Sequence, residues 1–431
     1  MKGNFQIVVL IIFLVGAVFS VFVFSGTIKL GKDKKQTGPQ GTVVLWGTIR
    51  NEFISKALED LNESNQAFTI SYVQKSAENF DNELLEALAS GTGPDLFFLT
   101  NDLAYHYKNK IFGIPYDVLP LVSFKTSFSS AAEVFVNSKG IMAVPIAIDP
   151  IVMYYNRSIL DSAGIVYPPT TWDQFSELIP LLTKKDDNKK ISKSTVGLGQ
   201  FSNISNAKEI LTAMFLQTGN NLVVEKDGAF ISTLGNLNQE YSIEDVLGFY
   251  TDFADPLKQV YSWNKSLPES RDFFSSENLA FYFGYASEKQ SLLNKNPNQN
   301  FFVAPIPQIK GTNSKSTYAK VSGVAVSNHT KSFETALAAA TSMAMSDFAE
   351  KYALAVGAAP ARRDLLNKKQ QDIFSVIFYN SALFAKSWLD PSPTDTDNIF
   401  QRMVDSILSN NLSIESAIKE AENKMSLLLL K

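Results

Sequence analysis

Two acids in this chain stand where apolar runs break off. Asp102 follows the run in DLFFLTND, and Asp149 interrupts the run in VPIAIDPIVMYY. A carboxylate accepts several hydrogen bonds, so such residues suit the hydroxyls of a polyol or a cationic group. Two of them in one cleft could also act as acid and base in glycoside hydrolysis. Aromatic residues are the other candidates. Trp46, Tyr154, Tyr285 and Trp388 offer flat faces that stack on the C–H surfaces of sugars while their polar edges meet hydroxyls. Asn101 joins them as the neighbour of Asp102.

Other chemistries are poorly represented. The chain has no cysteine, which excludes disulfides, thiolate metal sites and a lipid-modified N-terminal Cys. Its two histidines, His106 and His329, read as solvated loop residues rather than metal ligands. There is no G-x-S-x-G elbow, no metal-ligand cluster and no phosphate loop. No cofactor is therefore expected. The net charge of −4 gives no signal for nucleic acid.

The candidates need elements to hold them. Residues 42–46 read as a short apolar strand. A helix follows over 51–62, with Phe53, Ala57, Leu58 and Leu61 on one face. Residues 68–72 alternate as a strand, a helix over 80–90 stops at Gly91, and 95–99 form another buried strand. This βαβαβ order implies a mostly parallel sheet flanked by helices. Ligands of such sheets sit at the carboxyl ends of strands. Those ends are Trp46-Gly47-Thr48 and Leu99-Thr100-Asn101-Asp102. Residues 140–175 then give a strand into Pro145, a polar break at Asp149-Pro150, an apolar run over 151–155 and a helix over 157–163. Tyr154 and Tyr155 alternate faces, so one meets the cleft and the other the core. Trp172 follows a Thr-Thr turn and reads as packing for a helix start. Residues 184–193 read as a solvated turn, 301–307 and 321–326 as strands, and 333–345, 399–408 and 414–429 as helices.

The order of these segments resembles the extracellular solute-binding proteins, family 1, of ABC importers, the maltose-binding-protein-like group. The stretches that carry the resemblance are LASGTGPDLFFL, the 140–175 segment, FSSENLAFYFG, YAKVSGVAVSN, GAAPARR and SIESAIKEAENK. The resemblance implies an α/β fold of type II with two lobes, each a mixed sheet flanked by helices; the uncharged segment 5–27 adds one expected N-terminal transmembrane helix before it. It places 42–148 with 304–346 in one lobe and 149–303 with 347–431 in the other, with Asp149 at the crossover. It assigns Trp46 to the aromatic that closes the first strand, Asp102 to an acid that contacts sugar hydroxyls, Asp149 to an acidic hinge position and Tyr285 to a ligand-facing loop. Leu99, Leu103 and Asp397-Asn398 stand where maltose-type members carry a stacking Trp, a basic residue and a Trp-Tyr pair. Most of a maltodextrin platform is thus missing.

Residues 5–27 carry no charge and are long enough to span a bilayer, and 28–41 read as a tether. The alternative to an anchor is a signal peptide cleaved near Gly26. Lys29, Lys32, Lys34 and Lys35 after the segment favour a cytoplasmic domain by charge, while the resemblance favours an extracytoplasmic one. The expectation is a membrane-anchored extracytoplasmic binding protein, not an enzyme, with a small carbohydrate and ABC permease subunits as partners. A hydrolase using Asp102 and Asp149, and an anchored sensor or scaffold that has lost transport, are the competing readings.

Overall fold

The computed structural model describes residues 39–188, 190–235, 242–312 and 315–430. The apolar segment 5–27 and most of the 28–41 tether lie outside the described residues. Among the described residues, no helix is long and apolar enough to cross a membrane.

The chain opens with strand β1 (Gly41–Gly47), helix α1 (Asn51–Ser64), strand β2 (Phe68–Gln74), helix α2 (Phe80–Ser90) and strand β3 (Leu96–Thr100). β1 lies between β2 and β3 and runs parallel to both. Val43 and Leu45 are buried in the core, as is the face of α1 that carries Ile54, Ala57, Leu58 and Leu61. The sequence expectation put Phe53 on that face. Ile54 turns in instead, because 54, 57, 58 and 61 complete the i, i+3, i+4, i+7 stripe, and Phe53 is left exposed beneath the Arg50 guanidinium. α2 ends as expected, with Gly91 in the left-handed region at φ 74°.

The remainder of the sheet is built around one long strand, β4 (Val144–Asn156). Strand β5 (Ile191–Val196), helix α3 (Ala207–Gln217), strands β6 (Leu279–Tyr285), β7 (Phe301–Pro305) and β8 (Thr317–Val326), and helices α4 (Phe348–Ala355) and α5 (Ile414–Leu429) follow. Hydrogen-bonded order is β2-β1-β3-β8-β4-β6-β5 in a mixed, eleven-stranded sheet. Val144 to Pro150 of β4 pair with β8, and Ile151 to Tyr155 pair with β6. β7 lines the second half of β4 and the short strand Ala359–Pro360 lines the first.

The polar break expected at Asp149-Pro150 therefore does not interrupt the strand. Proline lacks a ladder donor, and Pro150 sits where β4 passes from one partner to the next. Residues 184–193 also differ from the expected turn, since Lys184–Lys185 pairs antiparallel with β5. α4 packs on α1, where Lys351 meets Asp60 at 2.6 Å, and its Tyr352 meets Phe98 of β3. On the far side, Trp172, Phe175, Phe281 and Phe283 form an edge-and-tilt cluster, which fits the packing role read for Trp172.

Candidate functional site

A cleft of about 490 Å³ opens at the carboxyl ends of β1 and β3 and against the middle of β4. Its walls include Thr48, Thr100, Asp102, Asp149, Ser287 and Lys320, backed by Phe98, Leu103 and Tyr352. Each polar group is placed by its strand. Asp102 sits two residues past the end of β3. Asp149 is the half-buried residue amid the buried Ala147, Ile148 and Pro150 of β4. Lys320 lies directly across from Asp149 in the β4–β8 register. Among the described residues, Lys320 is the cation lining the cleft.

The two acids, alike in type, have opposite electrostatic settings. Lys320 Nζ lies 3.1 Å from Asp102 Oδ2, and the Thr100 hydroxyl donates to Asp102. Burial opposes the Asp102 charge, but the ammonium and the hydroxyl outweigh it, and the carboxyl titrates below its ordinary range. Asp149 accepts from the Ser287 backbone N–H at 3.0 Å and from the Ser287 hydroxyl at 2.5 Å. Here burial wins over both hydrogen bonds and over Lys320, and the carboxyl is pushed up to about 7. Burial works against the Lys320 ammonium, yet Asp102 first, then Glu209 and Asp149, hold its pKa above the ordinary lysine value. The set offers acceptors on both walls with one cation between them, which suits a ligand rich in hydroxyls.

The expected site residues separate into groups. Asp102 and Asp149 line the one cleft. Tyr285 ends β6 beside it, with Lys320 Nζ 5.5 Å from its ring centre. Its hydroxyl is buried without a hydrogen-bond partner, and burial holds it well above the ordinary tyrosine range. Asn101 is fully buried. It donates to the Trp388 carbonyl at 3.0 Å and the Tyr318 hydroxyl at 3.3 Å, and accepts from Val321 N–H at 2.9 Å. It thus fixes the turn that presents Asp102. Trp388 is buried to 3% exposure and contributes its carbonyl there. Tyr154 is buried, with its hydroxyl donating to the Tyr285 and Ala286 carbonyls. Tyr155, half-buried, stacks on Phe302. Trp46 is half-buried under Lys75, whose Nζ lies 3.9 Å from the ring centre, and is not among the cleft-lining residues.

Sequence reasoning passed over Lys320, Ser287 and Glu209. Lys320 had a signal, being the lone charge in the run YAKVSGVAV, and Glu209 stands beside Lys208 near the start of α3. Ser287 had none, since only the fold brings it to Asp149.

Comparison with known proteins bears on the fold and the family. No curated protein sequence matches the chain significantly. Among solved structures, a cyclo/maltodextrin-binding protein complexed with maltotetraose superposes with a TM-score of 0.72 at 16% identity, covering 91% of this chain and 98% of that one. The sugar-binding protein MalE of Xanthomonas citri gives 0.69 at 16% identity over 90% and 97% of the two chains. An ABC transporter solute-binding protein of Thermotoga lettingae, bound with α-D-tagatose, gives 0.64 at 17% identity over 90% and 100%. At such identities the likeness establishes the fold. The sequence profile of the bacterial extracellular solute-binding proteins matches residues 46–344. The strand order, the cleft at the strand ends and this match over most of the chain agree, and the protein belongs to the bacterial extracellular solute-binding protein family.

Proposed function

We propose that this protein captures a small carbohydrate for an ABC importer, by closing two lobes over the cleft that holds Asp102 and Asp149. The observation that carries the reading is the pairing of those two acids, from β3 and from the middle of β4, around Lys320 in one cleft. Sugar-bound relatives of the same fold support the ligand class. The partner exchange of β4 between Pro150 and Ile151 supports a hinge there. The first lobe would comprise β1 to β3, the first half of β4 and most of β8, and the packing of α4 on α1 supports adding α4 to it. The second would comprise the rest of β4, β5 to β7, α3 and α5. A ligand that touches both lobes only when they meet stabilises the closed state, which a permease can read as shape. Segment 5–27 would hold the protein at the outer face of the membrane, at high effective concentration near its permease.

The opposed settings of Asp102 and Asp149 also fit an acid and a base. The Lys320 ion pair and the Ser287 bonds favour ligand binding instead, since both acids already have partners that hold them in place. Native mass spectrometry of gently purified protein tests the proposal. The expected result is a retained mass in sugar units, with calorimetric binding of that sugar and no turnover of glycosides. Protein that carries no sugar and binds none from a broad panel would overturn it, and turnover abolished by Asp149→Asn would favour the hydrolase.

A further inference from the structure

The two sides of the cleft also touch away from the strands that cross between them. After β3, Tyr105 is buried to 5% exposure. Lys108 of its own segment lies over its ring, Nζ 3.4 Å from the centre, and two further contacts reach it from the other side of the cleft. Its hydroxyl donates to the Leu429 carbonyl, at the end of α5, at 2.6 Å. Its ring meets Phe230 edge-on, with centroids 5.8 Å apart and planes at 75°. Phe230 belongs to the hairpin of Val223–Lys226 and Ala229–Ser232, which is tied back to α5 by Ser232 and Gly235 bonds to Glu422 at 2.7 and 2.9 Å. The same hairpin reaches a second point. Glu225 accepts from the Ser138 backbone N–H at 2.7 Å and from its hydroxyl at 2.5 Å, at the tip joining Val136–Asn137 to Gly140–Ile141. Neither contact involves β4 or β8.

We infer that the 223–232 hairpin and the end of α5 form a latch, gripping Tyr105 and Ser138 so that the lobes stay together before any solute arrives. The inference rests on the two-lobe reading above. The chemistry of the contacts supports a latch rather than permanent fusion. Tyr105 supplies one buried hydrogen bond and one ring edge, while the Ser138–Glu225 pair is exposed and exchangeable with water. Such contacts bias an equilibrium between closed and open forms without abolishing it. A chain that is already closed presents Asp102, Asp149 and Lys320 in their binding arrangement, so less of the solute's contact energy goes into ordering the site. Solute entry then waits on spontaneous release of the latch.

The absence of cysteine makes the test direct. Glu86→Cys on α2 and Glu177→Cys on the Phe175–Leu182 helix, both exposed, give unique spin-label positions on the two proposed lobes of the full chain. Distances are measured by pulsed electron resonance without added solute, after exchange removes any carried ligand. The expected result is one narrow short distance in the parent. In the triple variant Tyr105→Phe, Phe230→Ala, Glu225→Gln a longer distance appears, with the open-to-closed ratio raised at least about tenfold. If the triple variant does not fold, Tyr105→Phe alone, which keeps the ring, is read for a smaller shift of the same sign. Identical distributions in parent and variant, or a parent already spread over long distances, would overturn the latch. Sugar binding does not enter the readout, so a chain that binds no sugar still answers this question, and a failed latch leaves the carbohydrate reading standing.

Discussion

The end of β3 and the middle of β4 place the same side chain in the same cleft with opposite outcomes. Asp102 meets a full positive charge at 3.1 Å and stays ionised below its ordinary range. Asp149 faces the same lysine across the strand register, but its direct partners are the two donors of Ser287, and its carboxyl rises to about 7. A direct counter-charge offsets the loss of water, whereas two hydrogen bonds and a lysine that already holds another acid do not. The contrast separates a permanent acceptor on one wall from a group poised to change state at the crossover.

The largest expected effect comes from removing the strained side of the contrast. Folded Asp149 keeps its proton to about pH 7, against about 3.9 in an unfolded chain. Between those values the folded state binds more protons, so the stability contributed by this residue falls as pH rises through about 7. Asp149→Asn removes that fall. Urea unfolding should show the variant gaining about 1–3 kcal/mol relative to the parent between about pH 5 and pH 8. Parallel pH curves would break the contrast.

Lys320→Gln attacks the other side and should carry the opposite sign. Asp102 loses its counter-charge, and the chain loses about 1–2 kcal/mol near neutrality, a figure kept low because the Lys320 side chain is 37% exposed. Because the folded pKa of Asp102 is depressed, this loss should shrink as pH falls below the carboxylate range. A loss that is the same at pH 3 and pH 7 would mean Lys320 acts by packing alone. Ser287→Ala is smaller still, at about 1 kcal/mol above neutrality. It should move the carboxyl titration of Asp149, read by nuclear magnetic resonance, further up. The smallest effect is expected for Trp46→Phe. Trp46 lies under Lys75 and outside the cleft wall, so solute affinity should be unchanged while stability drops by about 0.5 kcal/mol, because the smaller ring of Phe attracts the ammonium less.

Much of the scaffold that makes this contrast was legible in the sequence. The β1–α1–β2–α2–β3 series and the Gly91 cap follow from local periodicity and turn chemistry, and the strand-end rule points to the loops carrying Thr48 and Asp102. The failures have a common physical cause. Pro150 looked like a break because local propensity does not register that a strand can exchange partners at a proline. Lys320 and Ser287 went unnoticed because their meeting with Asp102 and Asp149 depends on cross-strand register and on the turn after β6, neither of which leaves a mark within a short window. Asn101, Tyr154 and Trp388 are polar or aromatic residues close to the site, yet they face inward: Asn101 and the Trp388 carbonyl hold the turn of Asp102, and Tyr154 bonds the chain just before Ser287. Position along a strand identified the neighbourhood, while the face each residue presents was set by packing partners far away in the chain.

The most direct test of the cleft is calorimetric titration of the sugar retained by the purified protein against the parent chain and four variants. Asp102→Asn should weaken binding by about tenfold or more, the scale of a lost charge-assisted hydrogen bond, and Asp149→Asn should weaken it by a factor that grows as pH rises through about 7 and the parent carboxyl ionises. Tyr154→Phe and Trp46→Phe should bind within about twofold of the parent, since neither side chain lines the cleft. Unchanged affinity in both acid variants, or loss confined to Trp46→Phe, would contradict a solute site at Asp102 and Asp149.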